Sequence, residues 1–577
     1  MIRRSVAAVL LGLLIAPTTL IAQAPVASPS PRVSEAKAAK PTAGMPTRPE
    51  RTNFRETSSY EDVISYMKAM AAASPRIHLT TYGYTYEGRP MPLAVIGAPA
   101  ATPEAVKKTN KTRIYIQGNI HAGEVEGKEA ALWLLRSIAR GERAAWLDSV
   151  VLLVNPIYNA DGNEKVNLRN RGRQNGPVGG MGQRANAQNL DLNRDCTKLE
   201  TSEARSLAML MTDYDPHIAI DLHTTNGSPH GFYLTYQTSV SPNTSPGLID
   251  LARNELLPFV TKTVKARHGW DFFYYGNLSR QGERAWYNDA ELYKPRYTQT
   301  YFGIRNRIGL LVETFSYATF EDRIKADYWF LEETINWAVK NGAAVRKATA
   351  AADAESIVGK EQAVRGRLEK DPQPVPIVLA ESVDERNPYV PDRPMLRRVA
   401  GSEKTEVMPH YAVVKPTETS LAPRAYLIPN IPAPPASAQA APQAGAARMG
   451  GFGRMPARPW ASVIDRLEAH GVRFFRTTGE TTVKAERFRI EQNTTESQDY
   501  QNHKVRTITG KWEAADVVVP AGSIVVPMDQ PLARLAFMLF DPRSDDGFMT
   551  WNLLDEALGA TPPPEYYPVV RTMEQVG

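Results

Sequence analysis

One cysteine, Cys196, stands in 577 residues. No disulfide can form within such a chain, so stability has to come from buried apolar surface. A lone cysteine reads as a small buried apolar side chain. Long apolar runs are also scarce: beyond Val6–Ile21 no stretch is long enough to span a bilayer. That run follows Arg3-Arg4, is broken by Pro17 and ends near Ala22 and Ala24. Residues 1–24 therefore read as a secretory signal peptide, cleaved after Ala22 or Ala24. The chain is expected to be exported, to the periplasm or the extracellular space, with no membrane span in its mature form. A strong excess of charge of one sign is lacking too, since the net charge of +6 is spread over the whole length. The one dense basic knot near a motif, Arg169, Arg171 and Arg173, has no interleaved aromatics, so no nucleic-acid partner is expected.

What is present is a large globular composition, 42% hydrophobic and 23% charged, too long for one ordinary core. Residues 25–52, rich in Pro, Ala and charge, read as a flexible lead-in. A helix is expected around Ser59 to Ala73, then two strand-like runs separated by Gly88-Arg89-Pro90. From Thr112 to about Asn341 strands alternate with helices. Gly127 to Arg140 and Thr201 to Tyr214 have helical periodicity, and Phe320 to Val339 carries one buried stripe. Val150 to Val154 is a continuous apolar run, as in a strand covered on both faces. Asn159 to Gly162 reads as a turn. This order predicts an α/β fold with a mixed, largely parallel sheet flanked by helices. Residues 342–370 read as a connecting helix, and 346–400 as a connecting segment. Residues 401–577 read as a β-rich α+β C-terminal domain with one helix, Ala461 to His470, closed by Gly471. Within it, residues 431–458 are Pro, Ala, Gly and Gln and read as a disordered insertion.

Three apolar runs end in residues that bind metal or move protons. Ile114-Tyr115-Ile116-Gln117-Gly118-Asn119-Ile120 leads to His121, with Glu124 after it. Ile218-Ala219-Ile220-Asp221-Leu222 leads to His223. Ile308-Gly309-Leu310-Leu311-Val312 leads to Glu313. In open α/β sheets, ligands sit beyond the carboxyl ends of the strands. Two His and one Glu with an open fourth position form a hydrolytic zinc site, and a second Glu can serve as base. His-x-x-Glu alone says little, because chance supplies roughly half an occurrence in such a chain. Position at strand ends gives it weight, as does a carboxylate near each candidate ligand to take the second ring proton. A carboxylate closing an apolar strand, as Glu313 does, is costly unless it is paired or functional.

The stretch Arg184-Ala185-Asn186-Ala187-Gln188-Asn189-Leu190-Asp191-Leu192-Asn193-Arg194 resembles the signature of the M14-type zinc carboxypeptidases (metallocarboxypeptidases). The resemblance covers about residues 55–345. It implies a catalytic domain over 53–345 with a zinc carboxypeptidase-like fold and one Zn2+ per chain, held by His121, Glu124 and His223. It implies Glu313 as general base, Arg184 as the group that faces the developing oxyanion, and Asn193 and Arg194 as the grip on a free terminal carboxylate. Asp191 would orient His121. Arg169 to Arg173 compete with Arg184 for the oxyanion role. A substrate-capping tyrosine would be Tyr293, Tyr297 or Tyr301. Asp195-Cys196 depart from the aromatic or amide residues usual after the signature. Nothing after about 345 matches the peptidase unit.

The function so implied is an exported zinc metallocarboxypeptidase hydrolysing the C-terminal peptide bond of a peptide substrate. The alternatives are an amidase or deacylase on the same fold, acting on cell-wall peptides or N-acyl amino acids, and an inactive binding protein. Presence of all four critical residues speaks against the last. Terminal-residue preference and oligomeric state stay open.

Overall fold

The computed structural model describes residues 44–279, 281–429, 461–558 and 564–576. The expected signal peptide and the insertion 431–458 lie outside these. The end of the expected lead-in does not behave as a flexible arm. Arg48–Arg51 form a short helix capped by Thr47, and the buried Arg48 is held by Glu56, with Nε to carboxylate 2.8 Å. A buried ion pair fixes this segment against the body of the protein where composition alone suggested a loose tail.

The central sheet has eight strands: β1 (Ile77–Tyr84), β2 (Pro90–Ile96), β3 (Thr112–Gly118), β4 (Val150–Asn155), β5 (Ile218–Thr224), β6 (Leu234–Thr238), β7 (Phe272–Tyr274) and β8 (Ile308–Thr314). Their order is β1-β2-β4-β3-β5-β8-β6-β7. The four central strands are parallel; β1, β2 and β6 join antiparallel, giving the mixed sheet expected.

Both faces of the sheet are covered, which is why its inner strands read as unbroken apolar runs. On one face Ile114, Ile116, Ile220 and Leu310 pack against α1 (Tyr60–Ala73), α2 (Glu126–Ala139) and α4 (Phe320–Ala354). On the other, Tyr115, Val151 and Leu153 meet α3 (Ser202–Asp213) and then the C-terminal region through Leu467, Phe537 and Phe540. That region has a six-stranded sheet of its own. Its strand His410–Leu421 also pairs with Trp286–Tyr287. The C-terminal region thus shares one continuous apolar core with the central sheet.

Three readings need correction. Asn159 caps a short helix, Ala160–Glu164, rather than closing a turn, because its side chain accepts from Gly162 N at 2.9 Å. The helix from Phe320 runs unbroken to Ala354, and Glu361–Lys370 is a strand, so 342–370 is not one connecting helix. In the C-terminal region the largest element is a hairpin of Thr481–Thr495 and Arg506–Val519, of which only Val517 to Val519 stood out in the sequence.

Gly118, at the end of β3, lets α2 press onto the sheet. A Cβ there would meet Lys128 N at 2.9 Å, and Gly127 C and Pro156 O at 3.0 Å, all backbone atoms that cannot swing aside. Gly118→Ala is expected to cost ~1–3 kcal/mol of stability by overpacking, read as a lower urea midpoint at unchanged slope. An unchanged midpoint would show that the helix has room to retreat.

Candidate metal and peptide site

Register brings the candidate residues together. In the parallel β5–β8 ladder His223 lies opposite Glu313, and Gly118 of β3 lies opposite Leu222 of β5. The chain leaves β3 through Asn119, whose φ of 69° is left-handed, an uncommon conformation outside glycine that Asn tolerates best. This bend turns His121 and Glu124 over the strand ends. The three candidate ligands are buried.

Their donor atoms form a small triangle. His121 Nδ1 is 3.1 Å from Glu124 Oε1, His223 Nδ1 is 3.0 Å from Glu124 Oε2, and the two Nδ1 atoms are 3.2 Å apart. The outer nitrogens are already committed. His121 Nε2 lies 3.0 Å from Asp191 Oδ1, and His223 Nε2 lies 2.8 Å from Asp221 Oδ2. With a cation among the inner atoms, each neutral ring keeps its proton on Nε2, donating to its outer carboxylate, and both Nδ1 atoms present lone pairs. Two imidazole lone pairs and a carboxylate then face one another at contact distance, an arrangement that repels unless positive charge sits among them. Donor separations of 3.0–3.2 Å come within a few tenths of an ångström of the roughly 3.3–3.4 Å edge of a tetrahedron with bonds of about 2.0–2.1 Å, the length of zinc–imidazole and zinc–carboxylate bonds. These residues fit a zinc ion, and they are the one such cluster among the described residues.

The electrostatics agree. Burial alone would lower the pKa of His223, but Asp221 and Glu124 outweigh it and raise it well above the usual range. Burial would raise Asp191; the charges of His121, Arg184 and Arg194 instead hold it far below the carboxylate norm. The carboxylates here demand a cation. Glu313 goes the other way. Burial is the largest cause of its rise to about 8, with His223 opposing and Glu124 adding to it. Its Oε2 is buried with no hydrogen-bond partner among the described residues.

Around this centre lie the signature residues. Arg184 Nε donates to Asp191 Oδ2 at 2.9 Å, and its Nη1 is 3.6 Å from Glu124. Its side chain remains 39% exposed, open to the cleft. Arg171 is different. It donates to Glu124 Oε1 at 3.0 Å and to the carbonyls of Thr224 and Thr225 at 2.9 and 2.8 Å. Its donors are therefore spent on the protein. Asn193 accepts from Thr298 N through its Oδ1 at 3.0 Å. Arg194 stacks over the Tyr297 ring at 4.1 Å. The cleft is lined by Arg184, Asn193, Arg194 and Tyr297 and by Leu292, Leu311 and Glu313.

Of the three candidate tyrosines, Tyr297 alone lines this cleft. Tyr293 bonds Asp545, and Tyr301 is buried against His470. Asp221 was visible as a carboxylate near His223; its support by Gln117 Nε2 (3.0 Å) and Thr298 Oγ1 (2.6 Å) was not. Arg171 was noticed only as part of a basic knot. Tyr500 and Gln501, at the tip of the C-terminal hairpin, reach Arg194 and Asp191 and gave no signal at all.

Because Asp221 holds the His223 ring by one carboxylate oxygen, Asp221→Asn is expected to weaken zinc binding 10–100-fold, measured by competition with a chromogenic chelator. Affinity equal to wild type would mean that the ring is oriented by packing alone.

Residues 63–225 match the zinc carboxypeptidase family profile, a span that holds His121, Glu124 and His223 but ends before Glu313. The chain is 24% identical to carboxypeptidase 2 of Trichophyton tonsurans over 514 residues, covering 84% of this chain and 81% of that one. It is 23% identical to carboxypeptidase 2 of Trichophyton rubrum, covering 89% and 86%. Among solved structures, a putative carboxypeptidase A from Shewanella denitrificans OS-217 aligns over 50% of this chain and 69% of its own, at 20% identity and a TM-score of 0.37. The zinc carboxypeptidase match over residues 63–225, the carboxypeptidase relatives and the His–Glu–His cluster together support a metallopeptidase similar to the zinc carboxypeptidases.

Proposed function

We propose that this chain is an exported metallocarboxypeptidase that removes the last residue of a peptide with a free terminal carboxylate. The observation that carries the reading is the placement of Glu313. A carboxylate with a buried, unpartnered oxygen lies opposite His223 in the ladder, at the wall of a cleft that also holds two arginines and an asparagine.

Zinc held by His121, Glu124 and His223, one ion per chain, would supply Lewis acidity toward water and the scissile carbonyl. The rest of the chemistry falls to side chains of this chain. Glu313 takes the proton of the attacking water and returns it to the leaving amine, as a positioned carboxylate within reach of both can. Burial keeps its proton affinity high enough for this; a neighbouring cation lowers it again. Arg184 keeps part of its guanidinium toward the cleft, where it faces the oxygen on which negative charge grows. Arg171 has no donor to spare for that task. Asn193 and Arg194 receive the terminal carboxylate, for which a planar guanidinium is well matched. Asp191 orients His121. Tyr297 backs Arg194 and, lining the cleft, would close over the last residue. Export rests on the apolar run Val6–Ile21 behind Arg3-Arg4. Among the described residues no helix is long and apolar enough to cross a membrane.

Glu313→Gln tests this. It keeps shape and removes the base. Hydrolysis of an N-blocked dipeptide is expected to fall ~10²–10⁴-fold, while metal content, read by elemental analysis, stays at the wild-type level. Undiminished hydrolysis would contradict the assignment of the base. Cleavage of terminal amides as readily as free acids would point instead to an amidase.

A further inference from the structure

The hairpin of Thr481–Thr495 and Arg506–Val519 reaches out of the C-terminal region and ends over the rim of the cleft. Its tip is the turn Tyr500-Gln501-Asn502-His503, closed by Tyr500 N to His503 O at 2.8 Å and His503 N to Tyr500 O at 3.0 Å. Both central residues have positive φ, 52° at Gln501 and 63° at Asn502. Two-residue hairpin turns of this hand favour Asn or Asp followed by Gly, because a side chain in the left-handed region clashes with its own backbone. Gln501 is a poor residue for that position on local grounds, and strain held in place by its surroundings is often tied to function.

What the turn gains is contact with the signature loop. Gln501 Oε1 accepts from Asp191 N at 2.9 Å. Tyr500 OH accepts from Arg194 Nε at 3.0 Å. The guanidinium of Arg194 is thereby held on three sides: Tyr297 under its plane at 4.1 Å, the Asn193 carbonyl on Nη1 at 2.8 Å, and Tyr500 on Nε. Its Nη2 has no protein partner among the described residues. The tip is itself anchored. His503 Nε2 lies 2.7 Å from Glu200, and Arg296, bonded to Asp546 at 2.9 Å, packs on Trp551 and Tyr500. These contacts join parts of the chain about 300 positions apart: Arg194 and Tyr500 are separated by 306 residues.

The geometry points to Tyr500 as a positioning residue for recognition of the peptide's free carboxylate, so that the C-terminal region completes the clamp the peptidase sheet begins. This rests on the reading of Arg194 as the carboxylate-binding residue. A free Arg side chain loses rotamer entropy each time it grips a ligand; one already pinned at Nε and stacked on a ring offers its remaining donors in a fixed direction. Tyr500 does not touch the reacting atoms, so it acts on binding of the carboxylate and leaves the chemical step alone.

The test uses the full chain, an N-blocked dipeptide substrate, and two competitive inhibitors: the amino acid that substrate releases, and the amide of that amino acid. Tyr500→Phe removes one hydroxyl. It is expected to raise KM for the dipeptide and Ki for the amino acid roughly three- to ten-fold, with kcat within about two-fold and the Ki of the amide unchanged. Gln501→Ala is expected to act in the same direction. Arg194→Ala is the reference and should collapse the acid-to-amide Ki ratio. If Arg194→Ala collapses the ratio and Tyr500→Phe and Gln501→Ala leave it at the wild-type value, the role of the hairpin is overturned while the clamp stands. If acid and amide weaken equally in Tyr500→Phe, the tip is only a structural prop and the inference is likewise overturned. A ratio indifferent to Arg194→Ala overturns the clamp itself, and the inference with it.

Discussion

Three lone-pair donors held within 3.2 Å of one another are the constraint on which this molecule is organised. Left to themselves, two neutral imidazoles and a carboxylate would move apart. They are kept together because each is gripped from behind: His121 by Asp191, His223 by Asp221, and Glu124 by Arg171 and the backbone N–H of Thr224 at 3.0 Å. The sheet supplies the rigidity beneath. β3, β5 and β8 lie side by side in register, β5 and β8 ending level and β3 two residues earlier, so the groups that follow them cannot drift independently.

That arrangement separates two carboxylates by role. Glu124 is surrounded by positive partners and stays ionised, held well below the usual range against the upward push of burial. Glu313, paired across the β5–β8 ladder with His223, has no hydrogen bond to its buried oxygen Oε2 among the described residues and holds its proton more tightly. In the proposed mechanism one fold thereby yields a ligand and a base from the same side-chain type, by environment alone. The arginines divide in a similar manner. Arg171 is saturated by carbonyls and serves the ligand set, whereas Arg184 keeps an exposed edge toward the cleft.

Much of this was legible in the sequence for a physical reason. A strand buried on both faces cannot hide a charged residue, so His121, His223 and Glu313 stand out against the apolar runs they close. The central sheet and its helices followed from the same alternation. The C-terminal hairpin was less visible because only one of its faces is buried. Val483, Ala485 and Phe488 point inward from Thr481–Thr495 while exposed polar residues lie between them, and no continuous apolar run forms. The ordered Arg48 segment was missed because one buried ion pair outweighs a loose composition. Tyr500 and Gln501 were illegible for a deeper reason: both are ordinary polar residues at an exposed turn, and only tertiary contact 306 positions away gives them meaning.

The central claim is that one divalent ion is gathered by His121, Glu124 and His223. Anomalous X-ray diffraction from crystals of the full chain, recorded above and below the zinc absorption edge, tests it most directly. The account predicts a single strong peak per chain lying about 2.0–2.2 Å from the two Nδ1 atoms and the Glu124 carboxylate. A zinc-saturated crystal with no peak at this position, or with the peak elsewhere in the molecule, would contradict it.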